Sequence, residues 1–447
     1  SYKRKTNIFM IKEHHVKPCE YIYTKRNEKC NEAVKRLVPK IDMEKINVKK
    51  INKKIEKKKT KTKFVPGFLL GMFAMLVLGV AVGVGLHFSQ DSVKTDATYA
   101  VDKAESKIKS LEALINLKYL KNVDQEDLEN GLYKGLLEGL GDPYSVYYTK
   151  EEYTKLMEST SGEYCGIGAY VSQNTETKVI TITKAFKNGP ADKAGVKDGD
   201  VITKVDGKDV SSEDVDKVVS MMKGDKGTKV KLTVYRQSVK KYVDVTITRG
   251  EVKVPTVAHK MLDKKNKIGY IQISEFDTVT ANQFSSALSS LKKQGMKKVI
   301  FDLRNNPGGS YEGVCKILDE ILPEGTIVYT KDKYGNEEKQ TSDAKCLDMQ
   351  IVVLQNKNSA SASEIFAGAI QDFGAGTIVG TQSFGKGIVQ QIIPLTDGSA
   401  VKITIEDYYT PSGKNIHGKG ITPDVKIEAN GKTDVQLNKA LEVLKKK

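Results

Sequence analysis

Apolar and polar positions follow two different periods along residues 251–447, and the two periods alternate. Short apolar runs such as "KIGYIQIS" and "QIVVLQN" have the length and the β-branched content of buried strands. Stretches such as "TANQFSSALSSLKKQG" and "ASEIFAGAIQDFG" place apolar residues three and four positions apart, which predicts helices. Strands that alternate with helices indicate an α/β core in this part of the chain.

Residues 161–250 are predicted to form a separate, β-rich module. "GIGAYVS", "KVITITKAF", "KVKLTVYR" and "YVDVTITR" alternate as half-buried strands do, and one short helix is predicted at "SSEDVDKVVSMMK". Residues 89–160 instead show helical spacing in "SKIKSLEALINLKYL" and "DQEDLENGLYKGLLEGL", which predicts a helical arm. The periodicity leaves open whether this arm packs on the core or forms a dimer interface.

A long apolar stretch, residues 64–88, precedes these regions. It has no charged residue between Phe64 and His87, and it is long enough to cross a bilayer as one helix. The Lys-rich sequence "KKINKKIEKKKTKTK" flanks it on the amino side. The positive-inside rule therefore predicts a basic cytoplasmic tail at residues 1–63, a single-pass anchor in the cell membrane and an extracytoplasmic location for the rest. A cleaved signal peptide is the alternative interpretation.

Composition narrows the function classes. The net charge is +16, but much of the basic excess lies before residue 64, and no nucleic-acid-binding motif is found, so we expect no nucleic-acid partner. The five cysteines are widely spaced and form no CxxC or Cys/His pattern, so we expect neither a metal site nor a disulfide framework. Residues 1–42 begin with Ser and precede Met43, a plausible start. A start-site or cloning artefact stays open for them, and they are assigned no function.

"NSASASEIFAG", residues 358–368, places small hydroxyl residues at the start of a predicted helix. Ser361 and Glu364 match a Ser-x-x-Glu capping box, which satisfies backbone N–H groups at a helix N-terminus. The alternative is a nucleophilic Ser361, because the N–H groups and the dipole of a helix N-terminus stabilise a developing anion. A nucleophilic serine needs a base. The residues alone leave three candidates for it: His259, His417 and Lys386.

Four motifs in this order resemble the carboxyl-terminal processing peptidases, the tail-specific Ser-Lys proteases: "FDLRNNPGG", "NSASASEIFAGAIQD", "GTQSFGKGIVQQ" and "YYTPSGKNIHGKGITPDV". The resemblance covers about residues 100–430. It implies that Ser361 is the nucleophile, that Lys386 is the general base and that Gln390 orients the lysine. Ser363 is then a cap or a local hydrogen-bonding group, and Glu364 supports the turn.

The resemblance also implies an oxyanion hole made of backbone N–H groups. Ala362 supplies one of them and Gly308 the other, with Gly309 as the alternative to Gly308. A lysine base must lose its proton, and burial among apolar groups lowers the pKa of an amine. The apolar residues expected to bury it are Phe384, Ile388 and Val389. No cofactor and no metal is expected.

The β-rich module resembles a PDZ domain through "PADKAGVKDGDVITKVDG" and "CGIG". The resemblance implies that Gly166, Ile167 and Gly168 form a carboxylate-binding loop, whose N–H groups converge on the C-terminus of a peptide. The implied partners are protein substrates with unstructured C-terminal tails. Lys223 stands where the family often has an Arg that couples the PDZ domain to the protease. Lysine keeps the positive charge of arginine but lacks its planar fork.

These expectations combine into one fold class: an α/β protease core with an inserted β-rich PDZ domain, an N-terminal helical arm and one transmembrane helix. The expected function is that of a bacterial, membrane-anchored extracytoplasmic serine endopeptidase that recognises unstructured tails. The resemblance also makes a homodimer through the terminal helices possible, because the family often dimerises in this way. The alternative is a catalytically silent PDZ adaptor built on a protease-like core, which would bind tails without cutting them.

Overall fold

The structure is a computed structural model, and it describes residues 10–11, 96–431 and 433–446. The chain divides into two compact units. One consists of residues 15–128, and the other of residues 1–14 together with residues 129–447. Each unit is described by itself.

The smaller unit contains helix α1 (Asp96–Lys118) and the first residues of α2 (Gln125–Glu138). Charged residues such as Lys107, Lys109 and Glu112 recur along α1, so the helix is long but not apolar. Its Leu114 side chain is exposed.

The predicted transmembrane helix has to be corrected. In the part of the chain that the structure describes, no helix is long and apolar enough to cross a membrane. The apolar stretch at residues 64–88 lies outside that part. The described residues therefore form a mixed α/β fold with a separate β-rich module, and no helix among them spans a membrane. The single-pass membrane location and the extracytoplasmic placement depended on that helix, and both are withdrawn.

A six-stranded sheet forms the centre of the larger unit. Its strands are β11 (Val257–Asp263), β12 (Ile268–Ile273), β13 (Lys298–Asp302), β17 (Gln350–Gln355), β18 (Gly376–Gly380) and β21 (Val425–Lys426). They follow one another across the sheet in this order, and every neighbouring pair is parallel except β11 with β12.

Helices cover both faces of this sheet. They are α6 (Thr280–Lys293), α7 (Tyr311–Asp319), α8 (Ala362–Asp372) and α9 (Val435–Lys446). Phe301 and Val353 point toward α6, α7 and α8, whereas their chain neighbours Ile300 and Val352 pack with Leu444 of α9. Strands buried on both faces are apolar at every position, which explains the continuous apolar runs in the sequence.

A second sheet lies beside the first. Its strands are β1 (Met10–Ile11), β2 (Val146–Tyr148), β14 (Gly309–Ser310), β15 (Gly325–Asp332), β16 (Glu337–Ser342), β19 (Ile388–Pro394) and β20 (Ala400–Tyr409). The order is β14–β1–β19–β20–β15–β16, and β2 pairs with β20. Val146 of β2 stands opposite Lys402 of β20. The segment that follows α2 is therefore built into the sheet that carries β19.

The β-rich module has a sheet and a hydrophobic core of its own. Its elements are β4 (Ala169–Gln173), β5 (Ile180–Ala185), α4 (Pro190–Lys193), β6 (Val201–Val205), β7 (Lys208–Asp209), α5 (Val215–Met222), β8 (Lys229–Arg236) and β9 (Lys241–Thr248). Ile182, Leu232 and Ile247 are completely buried in it.

Two short strands join at the entry to and the exit from this module. β3 (Glu163–Gly166) and β10 (Gly250–Lys253) pair antiparallel. Helix α3 (Lys150–Ser161) precedes them, and a Thr149–Glu152 capping box starts it. Its C-cap, Gly162, has a φ of +67°, a conformation that favours glycine.

Candidate active site

Ser361 immediately precedes α8 in a backbone conformation that side chains rarely tolerate. Its φ is +59° and its ψ is −116°. The side chain is completely buried, and within the described residues its Oγ has no hydrogen-bond partner. A strained serine with an unpaired hydroxyl at a helix N-terminus favours the nucleophile interpretation over simple capping.

Only one half of the predicted capping box forms. Glu364 Oε2 accepts a hydrogen bond from the Ser361 N–H at 2.8 Å. The Glu364 N–H donates to the carbonyl oxygen of Ser361, also at 2.8 Å, and not to its hydroxyl. The Ser363 hydroxyl donates to the carbonyl of Asn306 at 3.1 Å, so Ser363 is the local hydrogen-bonding residue that the sequence indicated.

Glu364 also holds the loop that carries Lys386. Its Oε2 accepts the Lys386 N–H at 2.8 Å, and its Oε1 accepts the Gly385 N–H at 2.7 Å and the Ser383 hydroxyl at 2.6 Å. The carboxylate is completely buried. Burial raises the pKa of Glu364, and the hydrogen bonds from Ser383, Lys386, Gly385 and Ser361 oppose that effect. One buried carboxylate thus joins the serine loop to the lysine loop.

Lys386 lies in the loop between β18 and β19, and its side chain has no exposed surface. Burial, together with the nearby charge of Lys402, lowers the pKa of Lys386 to about 7, against the opposing charges of Asp142 and Glu364. Its Nζ lies 4.7 Å from the centroid of the Tyr144 ring. A buried amine with a pKa near neutrality can act as a base at physiological pH.

Two of the three apolar residues expected around the lysine are buried. Ile388 and Val389 are 8% and 0% exposed. Phe384 is 46% exposed, so its expected contribution was wrong. The Tyr144 ring, more than 200 positions earlier in the chain, lies over the lysine amine instead.

Gln390 lies on β19, four residues after Lys386, and is completely buried. Its amide Nε2 donates to Thr404 Oγ1 at 3.2 Å on the neighbouring strand β20. Its amide Oε1 is buried and has no hydrogen-bond partner among the described residues. The oxygen is therefore the part of the amide that is open to a further donor.

The backbone of Gly308 packs directly against the serine. Its φ is +105°, and a Cβ there would lie 2.7 Å from Ser361 Cβ and 3.0 Å from the Ala362 nitrogen. Its N–H, however, donates to Asn306 Oδ1 at 2.8 Å. Asn306 thus engages this N–H in the present conformation, and the role of Gly308 in an oxyanion hole stays a prediction. Gly309, the alternative, follows with a φ of +134°.

Neither histidine lies in an arrangement typical of a serine protease triad. His417 accepts the Gly387 N–H at 3.3 Å through Nδ1 and is exposed. His259 is an exposed residue of β11 opposite Ile271. Lys386 is the candidate base that is both fully buried and joined to Ser361 through Glu364.

Comparison with known proteins shows which family the chain belongs to. Residues 267–427 match the model of peptidase family S41, residues 181–236 match that of a PDZ domain, and residues 84–152 match that of the activating protease CtpB N-terminal domain. The chain is 38% identical over 373 residues to the probable CtpA-like serine protease of Staphylococcus haemolyticus (strain JCSC1435), covering 80% of this chain and 73% of that protein. The chain belongs to the C-terminal processing peptidases of family S41.

A second relative of this C-terminal processing peptidase is the probable CtpA-like serine protease of Staphylococcus aureus (strain COL). The two are 39% identical over 327 residues, which is 72% of this chain but 64% of that protein's length. Among solved structures, the photosystem II D1 C-terminal processing protease is 27% identical, covers 74% of this chain and 92% of its own, and has a TM-score of 0.44. The family makes this chain a serine peptidase with a PDZ domain, which acts on proteins.

The PDZ domain of this peptidase has a cleft of about 340 Å³ between β4 and α5. Its apolar lining comes from Ile167, Ala169, Val171, Phe186, Val219 and Met222. Ile167 is thus the predicted loop residue whose side chain reaches the cleft. Gly166 ends β3, and Gly168 has a φ of +72°, which favours glycine.

A charged pair and a tyrosine stand at one end of this cleft. Lys223 Nζ lies 2.6 Å from Glu158 Oε2 of α3 and 5.4 Å from the centroid of the Tyr164 ring. Burial raises the pKa of Tyr164, and the nearby backbone N–H groups of Ala169 and Gly168 oppose that effect. The tyrosine therefore lies close to the predicted carboxylate-binding loop.

Several residues that surround the base escaped the sequence reasoning. Tyr144 and Asp142 belong to "GDPYS", residues 141–145, which directly follow the predicted helix "DQEDLENGLYKGLLEGL" and show no apolar period. Lys402 belongs to an ordinary strand pattern. Lys402 is 1% exposed, and its Nζ donates to the Tyr148 hydroxyl at 2.9 Å. The one signal in the sequence was Lys402 within the apolar run "AVKITI", and a single lysine in a strand does not by itself indicate a site.

Proposed function

We propose that this serine peptidase cleaves protein substrates with unstructured C-terminal tails, using Ser361 as nucleophile, Lys386 as general base and Gln390 as the residue that orients the base. The observation that carries the proposal is the fully buried Lys386, whose pKa is lowered to about 7 and whose loop shares the Glu364 carboxylate with Ser361. The proposed protease core is residues 251–447, the PDZ domain residues 161–250 and the helical arm residues 89–160.

The reaction begins with the neutral amine of Lys386. It takes the proton of the Ser361 hydroxyl while the serine oxygen attacks the scissile carbonyl carbon. The tetrahedral intermediate collapses, the peptide C–N bond breaks, and the Lys386 ammonium gives its proton to the leaving amine. Water then attacks the acyl-enzyme with Lys386 as base again, which releases the carboxylate product and restores the serine.

The developing oxyanion needs donors next to Ser361. The Ala362 N–H at the start of α8 is the first, and it gains from the helix dipole. A glycine N–H of the 308–309 turn is the second. The Gly308 N–H can bind the oxyanion only after its hydrogen bond to Asn306 breaks. Gly309 belongs to the same turn, and its N–H does not depend on breaking that bond. Each such donor contributes roughly 3–4 kcal/mol to the stabilisation of the transition state.

The PDZ cleft is the proposed tail-binding site. Ile167 lines the apolar part, and the N–H groups near Gly168 are the proposed donors to the terminal carboxylate of a tail. The helical arm remains the proposed dimer face, which sedimentation of the purified protein tests directly.

A cleavage assay tests the proposal against the silent adaptor. The substrate is an unstructured peptide with a free C-terminus, and serine-reactive labelling is measured in parallel. We expect wild type to cut and to be labelled, and Ser361→Ala and Lys386→Ala to do neither while they remain folded. A folded wild-type chain that binds the peptide but neither cuts it nor takes the label would support the adaptor instead.

A further inference from the structure

A hydrogen-bonded chain leads from Gln390 out of the protease core and into the "GDPYS" segment. Gln390 Nε2 donates to Thr404 Oγ1 at 3.2 Å, and Thr404 Oγ1 donates to Asp142 Oδ2 at 2.6 Å. Asp142 precedes β2 and is 262 positions away from Thr404. The same carboxylate accepts the Ser145 hydroxyl at 2.7 Å and the Tyr144 N–H at 2.9 Å.

The chemistry of these groups determines which atom donates and which accepts in each hydrogen bond of this series. Burial alone would raise the pKa of Asp142, but the hydrogen bonds from Ser145, Thr404 and Tyr144 outweigh it and lower that pKa. An ionised carboxylate only accepts hydrogen bonds. The single proton of the Thr404 hydroxyl is therefore committed to Asp142, and the Thr404 oxygen must accept from its other neighbour. That neighbour is the amide nitrogen of Gln390.

The amide of Gln390 is thereby fixed in one of its two orientations. Its nitrogen faces Thr404, and its buried oxygen is the free end. An amide oxygen accepts a hydrogen bond from an amine, whereas an amide nitrogen would present another donor to it. In this orientation the amide oxygen of Gln390 can accept a hydrogen bond from the Lys386 amine. The lone pair of the Lys386 nitrogen then stays available for the Ser361 proton.

We propose that Asp142 is a positioning residue of the active site, which orients Gln390 through the hydroxyl of Thr404. The inference rests on the function proposed above for Gln390 and assigns it two partners. It also makes the segment between α2 and β2 a part of the active site. The Thr404 N–H donates to Ser145 Oγ at 3.0 Å, so the backbone of β20 is held by the same turn.

Substitutions that reverse or break the hydrogen-bonded chain from Asp142 to Gln390 test this role. In Asp142→Asn the side-chain nitrogen donates to Thr404, so the Thr404 hydroxyl turns toward Gln390 and forces its amide to flip. Thr404→Val removes the link, and Thr404→Ser keeps the hydroxyl. We expect Asp142→Asn and Thr404→Val to lower kcat about 10- to 100-fold, the usual cost of losing an orienting partner, with a smaller effect on KM. Thr404→Ser should recover most of the loss seen in Thr404→Val.

A double substitution separates this role from mere folding. In the Gln390→Ala background, Thr404→Val should have almost no further effect on kcat, because the group it orients is absent. Asp397→Asn is the matched control. Asp397 accepts the Ser399 hydroxyl at 2.6 Å in the turn that joins β19 to β20, outside the hydrogen-bonded chain to Gln390. We expect it to leave kcat unchanged.

The pH profile gives a second, independent readout. The charged and titratable groups that act on Lys386 are Lys402, which lowers its pKa, and Asp142 and Glu364, which raise it, while the Tyr144 ring covers its amine. Asp142→Asn removes a negative charge, so the pKa of Lys386 should fall further. The acid limb of the kcat/KM profile should therefore move to lower pH, and Thr404→Val should not move it.

The outcomes distinguish this inference from the proposed function. Full activity in Gln390→Ala would remove Gln390 from the catalytic set, and the inference with it. A low kcat in Gln390→Ala together with normal kcat in Thr404→Val and Asp142→Asn would overturn the inference alone. Equal losses from Thr404→Val in the wild-type and Gln390→Ala backgrounds would also overturn it, since the effect would then not pass through Gln390.

Discussion

Ser361 and Lys386 donate their backbone N–H groups to the same carboxylate oxygen of Glu364, each at 2.8 Å. The two residues lie 25 positions apart on different loops, and neither can shift without disturbing this shared acceptor. Because Glu364 is completely buried, water does not replace a lost bond. The spacing between nucleophile and base is therefore set by a residue that takes no part in the proposed proton transfers.

Replacing Glu364 by Gln should impair both stability and activity. The glutamine oxygen can serve two of the four donors, but the amide nitrogen then faces the other two and cannot accept from them. A buried N–H left unpaired costs about 1–3 kcal/mol. We expect urea denaturation to show a loss of that size, and the cleavage rate to fall at least as much.

Glu442→Gln is the control for that variant. Glu442 is a surface residue of α9 paired with Lys446 at 2.6 Å, so its charge is removed without any buried acceptor being lost. An unchanged midpoint and rate are expected for it. If Glu364→Gln behaves like this control, Glu364 does not hold the two loops together.

The activity should rise with pH through the pKa of Lys386. That pKa is lowered to about 7, and the base is the neutral form. Below pH 7 the amine is protonated and inactive, and above it the rate reaches a plateau. We therefore expect a kcat/KM profile with an acid limb near pH 7. Lys386→Arg should be inactive throughout, because a guanidinium stays protonated at every working pH. Substantial cleavage by Lys386→Arg would reopen the choice of base between His259 and His417.

Lys402→Met should shift that acid limb to higher pH. The charge of Lys402 helps to lower the pKa of Lys386, so its removal lets that pKa rise toward the ordinary value of a lysine. Burial lowers the pKa of Lys402 itself to about 7. Methionine therefore also removes the free-energy cost of burying that amine. We expect reduced cleavage at pH 7 and recovery at higher pH. Lys414→Met, at an exposed lysine of the same core, should leave the profile in place.

The sequence predicted the residues that form short local motifs and missed those that complete the site from a distance. Ser361, Lys386 and Gln390 come from two motifs whose spacing is set by α8, β18 and β19. Asp142 and Tyr144 reach the same site because β2 pairs with β20, and no periodicity reports a pairing between strands 250 positions apart. The α/β core and the PDZ domain were predictable because their strands and helices have regular apolar periods.

Details of exposure and of hydrogen bonding could not be predicted. Phe384 is apolar and lies two positions before the base, yet nearly half of its surface is exposed to solvent. The Gly308 N–H was expected to serve an oxyanion hole, and in this structure the side chain of Asn306, two residues earlier, accepts it. Both depend on the three-dimensional course of a loop. The apolar stretch at 64–88 led to a membrane location that the described helices do not support.

Recognition of a free C-terminus should depend on the pair at the end of the PDZ cleft. Lys223 lines the cleft and is paired with Glu158, so an incoming carboxylate has to compete with Glu158 for the same cation. A matched pair of peptides, one with a free acid and one amidated, should differ in kcat/KM. Loss of a charged partner by the loop N–H groups costs about 1–3 kcal/mol, which corresponds to roughly a 5- to 150-fold effect. Glu158→Gln should lower KM for the free-acid peptide alone, and Lys223→Gln should raise it a few-fold, since exposed ion pairs contribute at most about 1 kcal/mol.

Lys226→Gln is the matched control for these variants, because Lys226 pairs with Glu251 at 2.9 Å on the surface of the same domain and does not line the cleft. It should leave both peptides unaffected. Lys223 is a better position to substitute than Gly168. A Cβ at Gly168 would lie 3.2 Å from Pro190 and 3.3 Å from Val252, and the φ there is +72°. A substitution at Gly168 therefore strains the fold whether or not a tail binds. Equal kcat/KM for acid and amide in the wild-type protein, with no response to Lys223→Gln, would mean that this cleft does not read the terminal carboxylate. The apolar lining around Ile167 would then be the remaining source of tail preference.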